Sequence, residues 1–155
     1  MDQLKFRDAL VTDLSSIIAL LADDELGQKR ENIKKPLPSE YLCAFENINQ
    51  DRNQRLIVVT DEKQLIIGTL QLSFIQYLTY QGGIRAQIEA VRILKNQRGK
   101  GIGKRMFEWA ILTCKEKGAH LIQLTTDKKR PEAIQFYKDL GFNASHEGMK
   151  LHLDL

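Results

Sequence analysis

One stretch constrains the fold more than any other: within residues 91–104 an apolar strand meets a polar turn, and three alternate glycines open an amphipathic helix. The glycines are Gly99, Gly101 and Gly103. The first backbone N–H groups of a helix have no intrahelical partner, and the helix dipole adds partial positive charge beside them. Glycine lets an anion come close to such a backbone. The stretch therefore predicts a phosphate site at a strand-to-helix turn.

The spacing of the glycines excludes two common phosphate motifs. A P-loop has glycine in its sixth place, and the sixth residue counted from Gly99 is Lys104. The dinucleotide fingerprint G-x-G-x-x-G fails from Gly99 for the same reason, and it fails from Gly101 because its last place holds Met106. From the loop alone, a glycine-rich turn without a ligand stays open as an alternative. The loop instead fits the pattern (Q/R)-x-x-G-x-(G/A), which here reads Arg98-Gly99-Lys100-Gly101-Ile102-Gly103.

Length and charge favour a single globular domain over residues 1–155. The net charge of +3 is too mild for a typical nucleic-acid protein, although basic side chains surround the glycine loop. No apolar run approaches the roughly 20 residues of a membrane span. The beginning of the chain shows no signal-peptide hydrophobic segment, so we expect a cytoplasmic protein without a membrane partner.

Cysteine and histidine show no metal-binding pattern. The two cysteines, Cys43 and Cys114, are far apart, and the three histidines lack ligand spacing. We therefore predict no metal site. Cys114 falls on the apolar side of a predicted helix, which indicates a core residue.

Hydrophobic periodicity predicts an α/β (α+β) domain in which a mixed central sheet carries helices on both faces. The first helix runs into an acidic segment at residues 23–25 and is interrupted at Gly27. The predicted strands cover residues 4–7, 55–60, 65–74, 85–94 and 121–126, with a final pair in 142–153. The predicted helices cover residues 13–22, 39–48, 102–117 and 131–140.

A second motif lies downstream of the loop, where residues 130–142 contain the pattern A-x-x-F-Y-x-x-L-G-F. The two motifs and the order of elements together resemble the GNAT family of N-acetyltransferases over nearly the whole chain. The resemblance implies the acyl-CoA N-acyltransferase fold, acetyl-CoA as the acetyl donor, and direct attack by an amine in a ternary complex. One position departs from the family pattern, because Arg130 stands where many members carry asparagine.

The resemblance also implies where acetyl-CoA binds. Its pantetheine arm would pair with the strand at residues 91–93, and its pyrophosphate would rest on the N–H groups of residues 98–104. The expected cofactor-binding residues are Val91, Arg92, Ile93, Arg98, Gly99, Lys100, Gly101, Ile102, Gly103, Lys104, Arg130 and Phe136.

Two residues are the candidates for proton transfer. An alkylammonium, with a pKa of about 10.4, must lose a proton before its nitrogen attacks a thioester. Glu89 is two residues before Val91, which predicts that both face the same side, and the resemblance implies an acidic base at this place. An ion pair of Glu89 with a neighbouring arginine, Arg85 or Arg92, is the alternative. Tyr137 matches the acid that protonates the leaving thiolate, with a core aromatic as the alternative.

The acceptor is predicted from charge. Asp23, Asp24 and Glu25 form an acidic group that would attract a cation, which favours a small amine, diamine or polyamine. Gln71, Tyr80 and Gln87 are further candidates for acceptor binding. Three alternatives stay open: a protein or peptide N-acetyltransferase, a non-catalytic coenzyme A sensor, and a nucleic-acid binder. The family resemblance and the apolar segment 74–80 also predict a homodimer.

Overall fold

The computed structural model describes residues 4–153, so residues 1–3 and 154–155 of the predicted domain lie outside the described part. The chain forms two compact units, the first ending at Gln123 and the second beginning at Leu124. The single-domain prediction stays a prediction. The strands are β1 (Lys5–Asp8), β2 (Gln54–Thr60), β3 (Ile66–Gln76), β4 (Ile84–Ile93) and β5 (Ala119–Gln123). The helices are α1 (Leu14–Leu21), α2 (Glu25–Arg30), α3 (Ser39–Gln50), α4 (the single turn Thr79–Gly82), α5 (Ile102–Glu116) and α6 (Pro131–Asp139).

The first unit is built on one sheet with the strand order β1-β2-β3-β4-β5. The pairs β1–β2, β2–β3 and β3–β4 are antiparallel, whereas β4 and β5 are parallel. The parallel pair follows from the helix between its strands, because a parallel connection needs a long crossover. The predicted mixed sheet is therefore confirmed.

Helices cover both faces of this sheet, as predicted. On one face, the Val58 side chain packs in a core with Leu14 and Ile17 of α1 and with Phe45 of α3. We call this the α1/α3 face. The next residue along the strand points the other way, and that opposite face carries α5.

Close packing explains a glycine on the α5 face. A Cβ on Gly68 would lie 3.1 Å from the sulfur of Met106. Trp109 of α5 stacks on Phe6 with a centroid separation of 5.1 Å. The close backbone approach that an isolated strand glycine indicates is therefore present here.

The second unit contains α6 and a long irregular segment. α6 begins at Pro131, and Gly141 follows it with a φ of +92°, as helix-end chemistry predicts. The predicted final strand pair is wrong, because residues 142–153 contain no strand. Met149 and Leu151 are 96% and 87% exposed, so their alternation buries no apolar face. An isolated hairpin that buries no apolar face is marginal at best.

Candidate functional site

The glycine loop forms an open cradle at the start of α5. A short 3-10 turn, Lys95–Gln97, leads into it, and Gly99 and Gly101 both have a φ of +76°. Gly101 is the N-cap residue of α5, and no side chain in the described part of the chain caps this helix. The first N–H groups of α5 are therefore left for an external acceptor, which is the arrangement that binds phosphate.

Basic side chains around the cradle differ in their bonding. The Arg98 guanidinium donates to the carbonyl oxygen of Ile93 at 2.9 Å and to Asp23 Oδ2 at 2.7 Å. It is therefore a brace between the end of β4 and the end of α1. Lys100 Nζ donates to Gln97 Oε1 at 3.0 Å, and Lys104 lies 4.0 Å from Glu108 at the limit of an ion pair. Both lysines are largely exposed and add positive charge to the cradle.

The strand before the cradle separates from its neighbour. β4 pairs with β5 only over residues 84–87, so within residues 4–153 the later part of β4 has no partner strand on that edge. A bulge also interrupts its pairing with β3, and Ala90 in the bulge has a φ of +52°. Separation and bulge together leave backbone N–H and C=O groups near the cradle open for an extended ligand. This is the segment for which pantetheine pairing was predicted.

Glu89 lies immediately before the bulge and has an exposed side chain. Its register partner is Gln71, and the partner of Arg92 is Thr69, so Glu89 and Arg92 share a face. The alternation that placed Glu89 on the same face as Val91 is broken by the bulge, and that part of the prediction is wrong. Among residues 4–153, Glu89 forms no ion pair, so the ion-pair alternative finds no partner here.

The acidic segment does not form the free negative surface that the sequence indicates. Asp23 is paired with Arg98, and Asp24 lies 3.4 Å from Arg92. Glu25 lies 3.7 Å from Lys29. Two of the three carboxylates therefore link the end of α1 to β4 and to the glycine loop.

The helix boundary in this segment also differs from the prediction. The break follows Leu21, and Asp24 caps a new helix by accepting the N–H of Gly27 at 2.6 Å. Gly27 lies inside α2, where a Cβ would clash with the carbonyl oxygen of Leu21. Acidic residues therefore begin a helix here, which suits the helix dipole.

The other acceptor candidates separate into two groups. Gln71 and Gln87 lie on the α1/α3 face beside Glu89, because Gln71 is opposite Glu89 and Gln87 is two residues away from it. Tyr80, 75% exposed, lies in the turn before β4 begins. Five residues of strand separate Ile84, the start of β4, from Glu89, which is about 17 Å. The structure therefore does not bring Tyr80 to the cradle.

The remaining candidates belong to the second unit. Tyr137 is half-buried on α6, with ring centroids 5.5 Å from Phe136 and 6.2 Å from Phe142. The carbonyl oxygen of Tyr137 accepts the N–H of Phe142 at 3.0 Å. Arg130 is exposed at the N-cap of α6, and its carbonyl oxygen accepts the N–H of Ile134. Catalytic and cofactor roles for these side chains stay predictions.

Sequence reasoning missed two glutamines, Gln54 of β2 and Gln123 of β5. Gln71 Nε2 donates to Gln54 Oε1 at 2.8 Å, and Gln123 Nε2 donates to Gln87 Oε1 at 2.7 Å. A signal was available, since Gln71 interrupts the largely apolar β3, and Gln54 and Gln123 stand at the first position of β2 and the last position of β5. Repeated polar residues at half-buried strand positions indicate a functional face rather than a core.

The part of the chain that the structure describes covers residues 4–153. It contains no group of three or more His, Cys, Asp or Glu side chains arranged to hold a metal ion. None of its helices is long and apolar enough to cross a membrane. Cys114 is fully buried, as predicted for a core residue, and burial raises the pKa of its thiol to about 11.

An anion cradle that follows a strand with an open edge defines a site for a long ligand with a phosphate part and an extended arm, as in acyl-coenzyme A transferases. The chain belongs to the acetyltransferase (GNAT) family, whose family model matches residues 18–142. It is an acetyltransferase by family, and this family uses acetyl-CoA.

The chain is similar to two named acetyltransferases and to one solved structure. It is 31% identical to an aminoalkylphosphonate N-acetyltransferase of Salmonella typhimurium, covering 94% of this chain and 89% of that protein. It is 24% identical to an L-methionine sulfoximine/L-methionine sulfone acetyltransferase of Pseudomonas aeruginosa, covering 90% and 80%. A solved structure called a transcriptional regulator, from Bacillus halodurans, is 52% identical with a TM-score of 0.92 and covers 97% of this chain and 100% of that one.

Proposed function

We propose that the protein transfers an acetyl group from acetyl-CoA to the primary amine of a small molecule by direct attack in a ternary complex. The observation that carries this proposal is the adjacency of three features along β4 and the loop that follows it. The open edge of β4 leads into the uncapped start of α5, and Glu89 stands exposed just before the bulge. Such a strand can hold the arm of the donor beside a base.

Glu89 is the proposed base. The free amine attacks the thioester carbonyl carbon, the C–N bond forms, and the C–S bond breaks to release coenzyme A. Glu89 removes the proton from the ammonium, directly or through one water molecule. Its exposed carboxylate without an ion-pair partner among residues 4–153 supports this role. Tyr137 is the proposed acid that returns a proton to the thiolate, a role that rests on the family motif.

The identity of the acceptor rests on the relatives and on the charges near α1. Diamines and polyamines were favoured because of the acidic segment, but Asp23 and Asp24 are paired with arginines. Two relatives are named for an aminoalkylphosphonate and for L-methionine sulfoximine or L-methionine sulfone as substrates. We therefore propose a small primary amine and include acid-bearing amines beside diamines and polyamines as acceptors to test.

We also propose that the protein is a cytoplasmic homodimer that uses the turn between β3 and β4. Leu78 and Tyr80 in this turn are 94% and 75% exposed, an unusual amount of apolar surface for a short segment. Light scattering of the wild type and of Leu78→Lys tests this proposal. A dimer that becomes a monomer in the variant is expected, and a wild-type monomer would contradict it.

The test of function is release of the coenzyme A thiol from acetyl-CoA in the presence of amine panels, with acetylated product identified by mass. Wild type should release thiol with at least one small amine, and Glu89→Gln should lower kcat by about 100-fold or more, as loss of a general base does. Tyr137→Phe should also lower kcat while binding of acetyl-CoA stays unchanged.

The same assay separates the alternatives. Glu108→Gln, on the outer side of α5, is the matched control and should keep full activity. Acetylation only of protein termini or lysines, seen by intact mass, would favour the peptide alternative. Binding of acetyl-CoA without thiol release with any acceptor would favour a sensor. DNA binding that falls steeply with salt would favour the nucleic-acid alternative.

A further inference from the structure

Each of the four adjacent strands from β2 to β5 carries one glutamine on the α1/α3 face, and these are Gln54, Gln71, Gln87 and Gln123. Gln71 is in register with Glu89, and Ser73 is in register with Gln87. The two register pairs form the corners of one patch, which we call the glutamine patch and which consists of Gln71, Ser73, Gln87 and Glu89. Neighbouring Cβ atoms are about 5 Å apart across strands and about 7 Å apart along a strand. The patch is therefore the size of a small molecule.

Gln54 and Asp51 fix the direction of the Gln71 amide. Gln54 Nε2 donates to Asp51 Oδ2 at 3.0 Å, so Gln54 Oε1 is left to accept from Gln71 Nε2 at 2.8 Å. The hydrogen bonds from the Gln54 side chain and from the N–H of Asn53 lower the pKa of Asp51, which keeps it an acceptor. Because Gln71 uses its nitrogen in this chain of bonds, it presents its carbonyl oxygen to the patch.

Gln123 fixes the Gln87 amide in the opposite sense. Gln123 Nε2 donates to Gln87 Oε1 at 2.7 Å, so Gln87 presents its NH₂ group to the patch. Among residues 4–153, neither Gln71 Oε1 nor Gln87 Nε2 has a protein partner. The patch therefore has an accepting pole at Glu89 and Gln71 and a donating pole at Gln87.

We propose that the glutamine patch is a bipolar subsite that selects aminoalkyl acids as acceptors. Glu89 and the Gln71 carbonyl oxygen hold the ammonium group, and the Gln87 amide donates to an acid oxygen of the same molecule. The Cβ atom of Gln87 lies about 7 Å along the strand from that of Glu89 and about 7–8 Å diagonally from that of Gln71, a spacing that suits an amine and an acid group joined by one to three carbons. The proposal rests on the proposed function, in which Glu89 receives the proton of the acceptor.

Gln123 is a positioning residue in this subsite, because it acts only through the orientation of Gln87. A carboxylate at position 123 can accept hydrogen bonds and cannot donate them. The variant Gln123→Glu should therefore turn the Gln87 amide, so that Gln87 presents its carbonyl oxygen in place of its NH₂ group. The donating pole would become an accepting pole without any change at Gln87 itself.

The experiment measures the ratio of kcat/KM for 2-aminoethylphosphonate to kcat/KM for 1,3-diaminopropane by thiol release. In Gln87→Glu the ratio should fall about 10- to 100-fold, as expected for loss of a hydrogen bond to a charged group. In Gln123→Glu the ratio should also fall, and it should fall more than in Gln123→Leu. Leucine only removes the hydrogen bond that orients the Gln87 amide, whereas glutamate favours the reversed orientation. Gln64→Glu, the same change in the exposed turn between β2 and β3, should leave the ratio unchanged.

The outcomes separate the subsite from the function. Thiol release in wild type with an unchanged ratio in both Gln87→Glu and Gln123→Glu would overturn the subsite and leave the transferase intact. A fall in Gln64→Glu equal to that in Gln123→Glu would also overturn it, because the effect would then be one of net charge. Absence of thiol release with every acceptor would overturn the proposed function, and the subsite with it. Equal melting temperatures and equal acetyl-CoA binding of the variants exclude misfolding as the cause.

Discussion

Replacing Gly101 by alanine separates what the glycine does for the fold from what it does for the cofactor. Gly101 has a φ of +76°, and a Cβ built on it meets no atom within 4 Å. The chain offers a matched control in Gly118, which has a φ of +75° and equally open surroundings. Gly118 follows the opposite end of α5, a helix of 15 residues that is about 22 Å long.

The expected cost to stability is the same for both substitutions. A left-handed conformation costs an L-residue about 1–2 kcal/mol, and the stiffer unfolded chain returns about 0.4–1 kcal/mol. Each of Gly101→Ala and Gly118→Ala should therefore lower the free energy of unfolding by about 1 kcal/mol. In a protein of this size that corresponds to a melting temperature about 2–4 °C lower.

The expected cost to cofactor binding differs between the two. A methyl group at Gly101 stands at the first N–H groups of α5, where a phosphate oxygen has to approach the backbone. Loss of one hydrogen bond to a charged group costs about 1.5–3 kcal/mol, or about 10- to 150-fold in Kd for acetyl-CoA. Calorimetric titration should show this loss in Gly101→Ala and unchanged affinity in Gly118→Ala. Equal affinities of the two variants would refute the cradle.

Three other predictions follow from single contacts. Asp13→Asn should lower the free energy of unfolding at pH 7 by about 1.5–3 kcal/mol, because the carboxylate accepts two hydrogen bonds from Arg7. Since that pairing lowers the pKa of Asp13, the loss should shrink as the pH falls below about 4, where the unfolded carboxyl is protonated first; a pH-independent difference would contradict it. A thiol reagent should label exposed Cys43 in the native protein and Cys114 only after unfolding; two fast native thiols would contradict this. Arg98→Ala should raise the KM for acetyl-CoA several-fold and lower the melting temperature slightly, while an unchanged KM would show that the brace does not shape the cradle.

Much of the fold was predictable because its signals are local. Glycines with positive φ end helices and open the cradle, a continuous apolar run marks β2, and alternating apolar residues mark β3 and β4. The final strand pair failed for the opposite reason. The alternation of Met149, Leu151 and Leu153 is a local signal for a strand, but a strand also needs a neighbour, and these side chains are 72% exposed or more.

The site was harder to predict because its partners are distant in sequence. Asp23 and Arg98 are 75 positions apart, so the acidic segment could not be recognised as paired. The bulge was equally hidden, because alanine is not expected at a φ of +52°, and Ala90 alone carries no signal for it. The bulge moves Arg92 to the face of Glu89 and breaks the simple alternation from which the face of Val91 was inferred.

The proposed activity is acetyl transfer from acetyl-CoA to a small primary amine at the β4–α5 site. The most direct measurement follows acetyl-CoA carrying an isotope-labelled acetyl group, with coenzyme A and acetylated amine quantified together by mass spectrometry. We predict equal amounts of the two products in wild type, and loss of both in Glu89→Gln although acetyl-CoA still binds. Coenzyme A release without labelled amine, or full transfer in Glu89→Gln, would contradict the claim.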